Sequence, residues 1–260
     1  MKIPNNMRPT PEPRRGIRSI WFWVKLIVVL IVVSISLLLI FNKQAMDVWV
    51  KTQSKPEVFM KATPKEIKEN VVKSNKEGNF DGDTAVPVSA ENIAKAEIEN
   101  KAKPVLGGVA MPDIGINLPI MMDSGDYSML TGAGPLLPNQ VMGEGNYTLA
   151  SHNMWTNESF YSKDLLFSPL MNAEIGHDIY LTDKDKVYRY KTIEVDKRVD
   201  PSEWDRATDA IPGTAVVTLI TCAVDDEFRI MVRGELMEVL PFNEDTTEPF
   251  TKDLNQYWNK

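Results

Sequence analysis

Cysteine is almost missing from this chain: Cys222 is the only one in 260 residues, so no disulfide can form within it. Histidine is nearly as scarce, limited to His152 and His177. Positive charge is not in excess, since the formal net charge is −7, and such acidity argues against nucleic acid as a partner. There is no second long apolar run, no internal repeat and no apolar C-terminus, because the chain closes on Asp253-Leu-Asn-Gln-Tyr-Trp-Asn-Lys. A domain without disulfides has to fold on an apolar core. An unpaired cysteine in an exported protein then calls for an explanation, as buried filler, an intermolecular bridge or a nucleophile.

One apolar run does exist. From Ile20 to Phe41 the only charge in 22 residues is Lys25. As a helix this stretch is about 33 Å long, enough to cross a hydrocarbon core. Lys25 is near enough to one end to snorkel, and Trp21, Phe22 and Trp23 suit the headgroup region. No small-x-small cleavage site follows, which favours an uncleaved anchor over a signal peptide. Residues 1–25 carry six basic groups against Glu12, which sets the N-terminus in the cytoplasm and the remainder outside. Removing that +5 leaves −12 for residues 26–260, a charge that keeps an outer domain soluble near a surface.

The composition divides the chain into a cytoplasmic tail 1–19, a transmembrane anchor 20–41, a stalk and linker 42–103, a strand-rich domain 104–243 and a polar tail 244–260. The linker is rich in Lys, Glu, Asn and Ala. Its apolar positions Ile67, Val71, Val72 and Ile93, Ala96, Ile98 fall at helical spacings around the break Gly78-Asn-Phe-Asp-Gly-Asp. A helical stalk and a partly disordered spacer both fit it. From Pro104 short strands take over: Leu106–Met111, Ile114–Ile120, Asn146–His152, a hairpin over 178–195, the buried run Thr214–Thr221 and the alternating run Phe228–Leu236. With only short helices, such as Ser162–Met171, this is a mainly β domain, a barrel or a sandwich.

His152 and Cys222 each end a strand and Arg229 begins one, and strand ends hold side chains rigidly while leaving them accessible. A thiol acts as a nucleophile when a base or cation is near, and the oxyanion it creates needs positive charge. His177, beside acids in Glu174-Ile-Gly-His-Asp, reads as a solvated surface residue.

Three motifs carry a family resemblance. Thr218-Leu-Ile-Thr-Cys222 resembles the Thr-Leu-x-Thr-Cys signature of sortases, the membrane-anchored transpeptidases of Gram-positive bacteria. Leu149-Ala-Ser-His152-Asn is similar to the segment bearing that family's histidine, and Phe228-Arg229-Ile-Met-Val-Arg-Gly-Glu-Leu to the strand bearing its arginine. Gly108–Ile120 and Tyr127–Gly134 resemble the class A, streptococcal and lactococcal housekeeping type. The likeness covers roughly residues 104–240.

The resemblance implies a closed eight-stranded β-barrel that cleaves a Leu-Pro-any-Thr-Gly (LPXTG) sorting signal between Thr and Gly through a thioacyl-enzyme. It then passes the surface protein to an amine of a lipid-linked peptidoglycan precursor. Cys222 is then the nucleophile, His152 the general acid and base, and Arg229 the group that stabilises the oxyanion or holds substrate backbone. Arg233, on the same strand face, is its runner-up. Ala150 and Ile220 line the substrate slot, Thr221 and Ser151 orient substrate, and Trp204, in the loop 197–213 that closes over sorting signals, is a lid contact or a loop anchor. No cofactor and no metal are implied. Calcium-binding relatives place several carboxylates before the histidine strand, where Gly132–Glu144 offers one acid. Pilus-building relatives carry a second span and a lid segment, neither legible here. The rivals are another cell-wall cysteine transpeptidase or peptidase, in which Gly-rich or Cys-before-His signatures surround the thiol, and a membrane-tethered binding domain with an inert thiol.

Overall fold

The computed structural model describes residues 15–82, 86–99, 104–125, 127–155, 163–224 and 227–251. Asp225 and Asp226 beyond the cysteine, residues 1–14 of the cytoplasmic tail and 252–260 of the polar tail lie outside them. Two compact units are distinguished, residues 1–43 and 44–260. Helix α1 (Arg15–Gln53) includes, within the first unit, Ile20–Leu37, whose mean hydropathy is 2.5 with none of it buried. That stretch is long and apolar enough to cross a membrane.

The second unit is built on one eight-stranded sheet. Its strands are β1 (Val105–Met111), β2 (Ile116–Met121), β3 (Gly134–Pro135), β4 (Asn146–Ala150), β5 (Asp178–Thr182), β6 (Lys186–Val199), β7 (Val216–Cys222) and β8 (Arg229–Pro241), in the order β2-β1-β5-β6-β8-β7-β4-β3. Every pairing is antiparallel except β4 with β7. The two ends of the sheet meet where Met121 N–H donates to Ala133 O at 2.7 Å and Ala133 N–H to Pro119 O at 3.0 Å. This single parallel bridge, Ile120 with Ala133, brings the sheet to the nearly closed form of the barrel that the resemblance implied, and closing a sheet on itself protects its edges.

Strand parity sorts the side chains. Tyr147 and Leu149 of β4, Val217 and Leu219 of β7, and Ile230 and Val232 of β8 enter the main apolar cluster that fills the barrel. Ala150, Ile220 and Met231, on the opposite face of the same strands, join a second cluster with Met129, Leu136, Val199 and Ala207. Since successive residues of a strand point to opposite faces, the outer wall made by β4, β7 and β8 is apolar and covered too. Its cover comes from the segments after β2 and β6, which carry the short helices α5 (Ser128–Thr131) and α6 (Trp204–Thr208).

Part of the segment read as a stalk packs on the barrel. Helices α2 (Glu57–Met60) and α3 (Pro64–Glu77) precede α4 (Ala90–Glu99). Helix α3 opens on a capping box in which Thr63 Oγ1 accepts from Glu66 N–H and the Glu66 carboxylate accepts from Thr63 N–H. It buries Ile67, and Asn70 donates to Val105 O at 2.9 Å. Phe59 of α2 is fully buried, edge-on to Phe250 of α7 (Glu248–Thr251) with ring centroids 5.8 Å apart. The C-terminal segment read as polar therefore contributes an aromatic to this cluster. Of the short helix expected over 162–171, residue 162 lies outside the described residues, and from 163 on the helical part is a 3-10 turn, Ser168–Asn172. Pro169 supplies no N–H and disfavours a helical residue before it.

Candidate active site

Cys222 ends β7 and lies opposite Arg229, the first residue of β8. Directly opposed residues of an antiparallel pair have Cα atoms about 4.5–5.5 Å apart. On the other flank β4 runs parallel with Ala150 beside Ile220. Past the end of β4, Ser151 N–H still reaches Ile220 O at 3.4 Å and Thr221 Oγ1 donates to Ser151 O at 2.7 Å. Asn153 Nδ2 then donates to Cys222 O at 2.9 Å. His152 is thus carried alongside Cys222, and its carbonyl accepts from Phe167 N–H at 3.1 Å. Parity puts 152, 222 and 229 on the outer wall with Ala150 and Ile220.

All three open into one groove of about 510 Å³. Cys222 is half-buried there, neither sealed in the interior nor fully solvated. Ala150, Ile220, Met129 and Leu136 give the groove an apolar floor, and Val199, Asp200, Pro201, Glu203 and Trp204 form its wall on the β6–β7 side. Arg229 Nη1 donates to Phe228 O at 3.1 Å, and the Arg198 guanidinium lies 4.0 Å over the Phe228 ring. Both contacts steady the start of β8. The arrangement sets a thiol, an imidazole and a guanidinium around an apolar-floored slot, a set of groups that can serve acyl transfer. Among the described residues no group of three or more His, Cys, Asp or Glu side chains could hold a metal ion.

Each site residue expected from sequence borders this groove: Cys222, His152, Arg229, Ala150, Ser151, Ile220, Thr221 and Trp204. The hydroxyls of Ser151 and Thr221 are buried and spend their protons on the backbone, at Gly132 O and Ser151 O. They stitch β4 to its neighbours. Trp204 is 40 % exposed at the start of α6. His177 is away from the groove, its Nδ1 accepting from Glu174 N–H at 3.3 Å. Arg233 is away from it too: four residues along β8 it is buried, with Nε donating to Thr218 Oγ1 at 3.1 Å and Nη1 to Glu194 at 3.1 Å.

Phe80, Asp81 and Gly82 also line the groove, and sequence reasoning missed them. They get there because Asn79 is fastened to the barrel: its carbonyl accepts from Ser124 N–H at 3.1 Å and from Gly125 N–H at 3.0 Å. A side chain at Gly125 would collide with that asparagine, its Cβ falling 2.5 Å from Asn79 Nδ2. The upstream chain, in which no lid was legible, therefore supplies part of the wall.

Residues 109–237 match the model of the sortase domain. The chain is 34 % identical to sortase A of Streptococcus agalactiae over 248 residues, 94 % of this chain and 98 % of that protein. It is 32 % identical to sortase A of Listeria monocytogenes, over 90 % of this chain and 98 % of that one. The solved structure of the Listeria monocytogenes sortase A superposes with a TM-score of 0.51 at 30 % identity, covering 57 % of this chain and 99 % of that one. Sortase C-3 of Streptococcus pneumoniae, 18 % identical with a TM-score of 0.52 over 74 % of this chain and 92 % of that one, shares the fold.

Proposed function

The chain belongs to the sortase family of transpeptidases, and from that membership we infer that it cuts the LPXTG sorting signal of surface proteins between Thr and Gly. The acyl half is transferred to an amine of a lipid-linked peptidoglycan precursor. The observation that carries this reading is the convergence of Cys222, His152 and Arg229 on one face of the barrel wall, open to an apolar-floored groove.

In the first half-reaction the Cys222 thiolate attacks the threonine carbonyl. The carbonyl oxygen takes up the negative charge, and Arg229 meets it with a permanently charged, forked donor. As the C–N bond breaks, His152 gives a proton to the leaving glycine amine. The acyl group is then held as a thioester on sulfur. In the second half-reaction His152 removes a proton from the incoming amine, nitrogen attacks the thioester, and Cys222 leaves as thiolate, restoring the starting state. Leu and Pro of the signal rest on Ala150 and Ile220, with Trp204 flanking them from the loop side.

The same reading makes Ile20–Phe41 the membrane anchor, with the N-terminus in the cytoplasm and the barrel on the cell-wall side, where both substrates meet it. A fluorescent LPXTG peptide incubated with the full chain in detergent, and with a panel of amine acceptors, tests the function. The expected result is cleavage after threonine and an acceptor-dependent product joined through threonine, the same in calcium and in chelator. Cleavage at another bond, or no product with any amine, would overturn it.

A further inference from the structure

The β6–β7 loop supplies one wall of the groove, yet its helix α6 has only five residues, too few to persist unaided. What fixes it comes from four strands of the barrel. Arg233, the expected understudy of Arg229, has all of its donors turned away from the thiol. Besides Thr218 and Glu194, its guanidinium donates through Nη2 to Arg206 O, a carbonyl of α6. Asn146, at the start of β4, donates through Nδ2 to Ala207 O at 2.9 Å and to Asp209 O, just past the end of α6, at 3.0 Å. Its Oδ1 accepts from Thr218 Oγ1 at 2.9 Å. The final carbonyls of a helix lack partners within it, and here buried side chains of β4 and β8 provide them.

Arg206 supplies the second tie. Its Nη2 reaches Glu194 at 2.7 Å and Asp196 at 2.8 Å, both on β6, and its Nη1 reaches Glu203 at 3.3 Å. Glu194 in turn accepts from Arg233, so one carboxylate links both guanidinium groups. The ties hold the stretch bearing Pro201, Glu203 and Trp204, three groove-lining residues, while Ala207 is packed into the floor cluster.

We propose that Arg206, Arg233 and Asn146 act as a positioning clamp that presets the peptide-recognising wall of the groove and so governs capture of the sorting signal. This rests on the acyl-transfer reading above. None of the three touches the thiol, so the clamp acts on substrate binding and leaves the reactivity of Cys222 alone. A preformed wall spares the ordering cost that a mobile loop would incur on each encounter.

The test uses the full chain in detergent, comparing wild type with Arg206→Ala, Arg206→Lys and the near-isosteric Glu194→Gln. Arg206→Ala is expected to raise KM for an LPXTG peptide about tenfold with kcat held within about twofold. Lysine, which keeps the charge and loses the fork, should fall between. Alkylation of Cys222 by iodoacetamide should keep its wild-type rate in every variant, and amide exchange over 200–209 should quicken while β7 stays protected. Should Arg206→Ala fail to fold, Glu194→Gln decides, with KM expected to rise several-fold. Unchanged KM and unchanged loop exchange in the folded variants would overturn the clamp, as would a fall in kcat and alkylation with KM unmoved. An inactive wild type would instead sink the acyl-transfer reading, and exchange over 200–209 would still judge the clamp.

Discussion

Replacing Cys222 by alanine separates chemistry from architecture. The side chain is half-buried at the end of β7 and faces the groove. The bonds that organise this corner are made by its backbone, through Asn153 Nδ2 to its carbonyl and the pairing with Arg229. Alanine keeps all of them. Only the sulfur is lost, and for a partly exposed atom of that size the cost is about 0.5–1 kcal/mol. In a folded unit of this size such a loss lowers Tm by no more than about 4 °C. Activity should fall by at least about 10³-fold, because no other group can form the acyl intermediate. Peptide cleavage followed by chromatography and a thermal melt of the same preparation give both numbers. Residual activity above about a tenth of wild type would refute the nucleophile. A Tm lowered by more than about 10 °C would make Cys222 core filler, since a loss that large signals several kcal/mol of packing.

Phe59→Ala is expected to destabilise the protein by about 3–5 kcal/mol in denaturant titration, because the ring is fully buried against Phe250; a loss below about 1 kcal/mol would mean that α2 is not part of the folded unit. Asn153→Ala removes the donor that ties the residue after His152 to the Cys222 carbonyl and should lower kcat about fivefold with KM unchanged, the equivalent of one hydrogen bond; equal kcat would show that the tie does not position the imidazole. The Asp196 carboxyl is held below its ordinary value first by the Arg198 N–H and also by Arg206. A depressed carboxylate contributes stability above its unfolded value, about pH 4, and loses it as pH falls through the lower folded value. Exchange protection over 200–209 should therefore hold from neutrality to about pH 4 and decline below it; a decline starting near pH 6 would implicate another group.

Local pattern marked the three residues proposed to react, because each is placed by its own strand. The β-branched-rich run Thr218–Cys222 and the run Tyr147–Ser151 read as strands that stop at Cys222 and His152, and the alternation from Phe228 to Leu236 fixes which residues share a face with Arg229. Alternation gives a face and no partner, which is why Arg233 read as a second candidate for the oxyanion when its partners are Thr218, Glu194 and the end of α6. The sheet ends meet through Ala133, just before the two-residue β3, a stretch too short for any periodic signal. The helical spacing of Ile67 and Val71 was visible along with the break at Gly78, but the surface they dock on is set by β1 and by Met122–Gly125, 35 to 48 residues away in sequence. Phe80 and Asp81 reach the groove through that docking, so nothing local marks them.

A sulfur that carries the acyl group is the centre of this account, and mass spectrometry of protein quenched in acid during turnover of an LPXTG peptide without amine acceptor tests it most directly. The digest fragment containing Cys222 should gain the mass of the peptide up to its threonine, and hydroxylamine should release that mass. Turnover with no adduct, or with the added mass on any other residue, would contradict it.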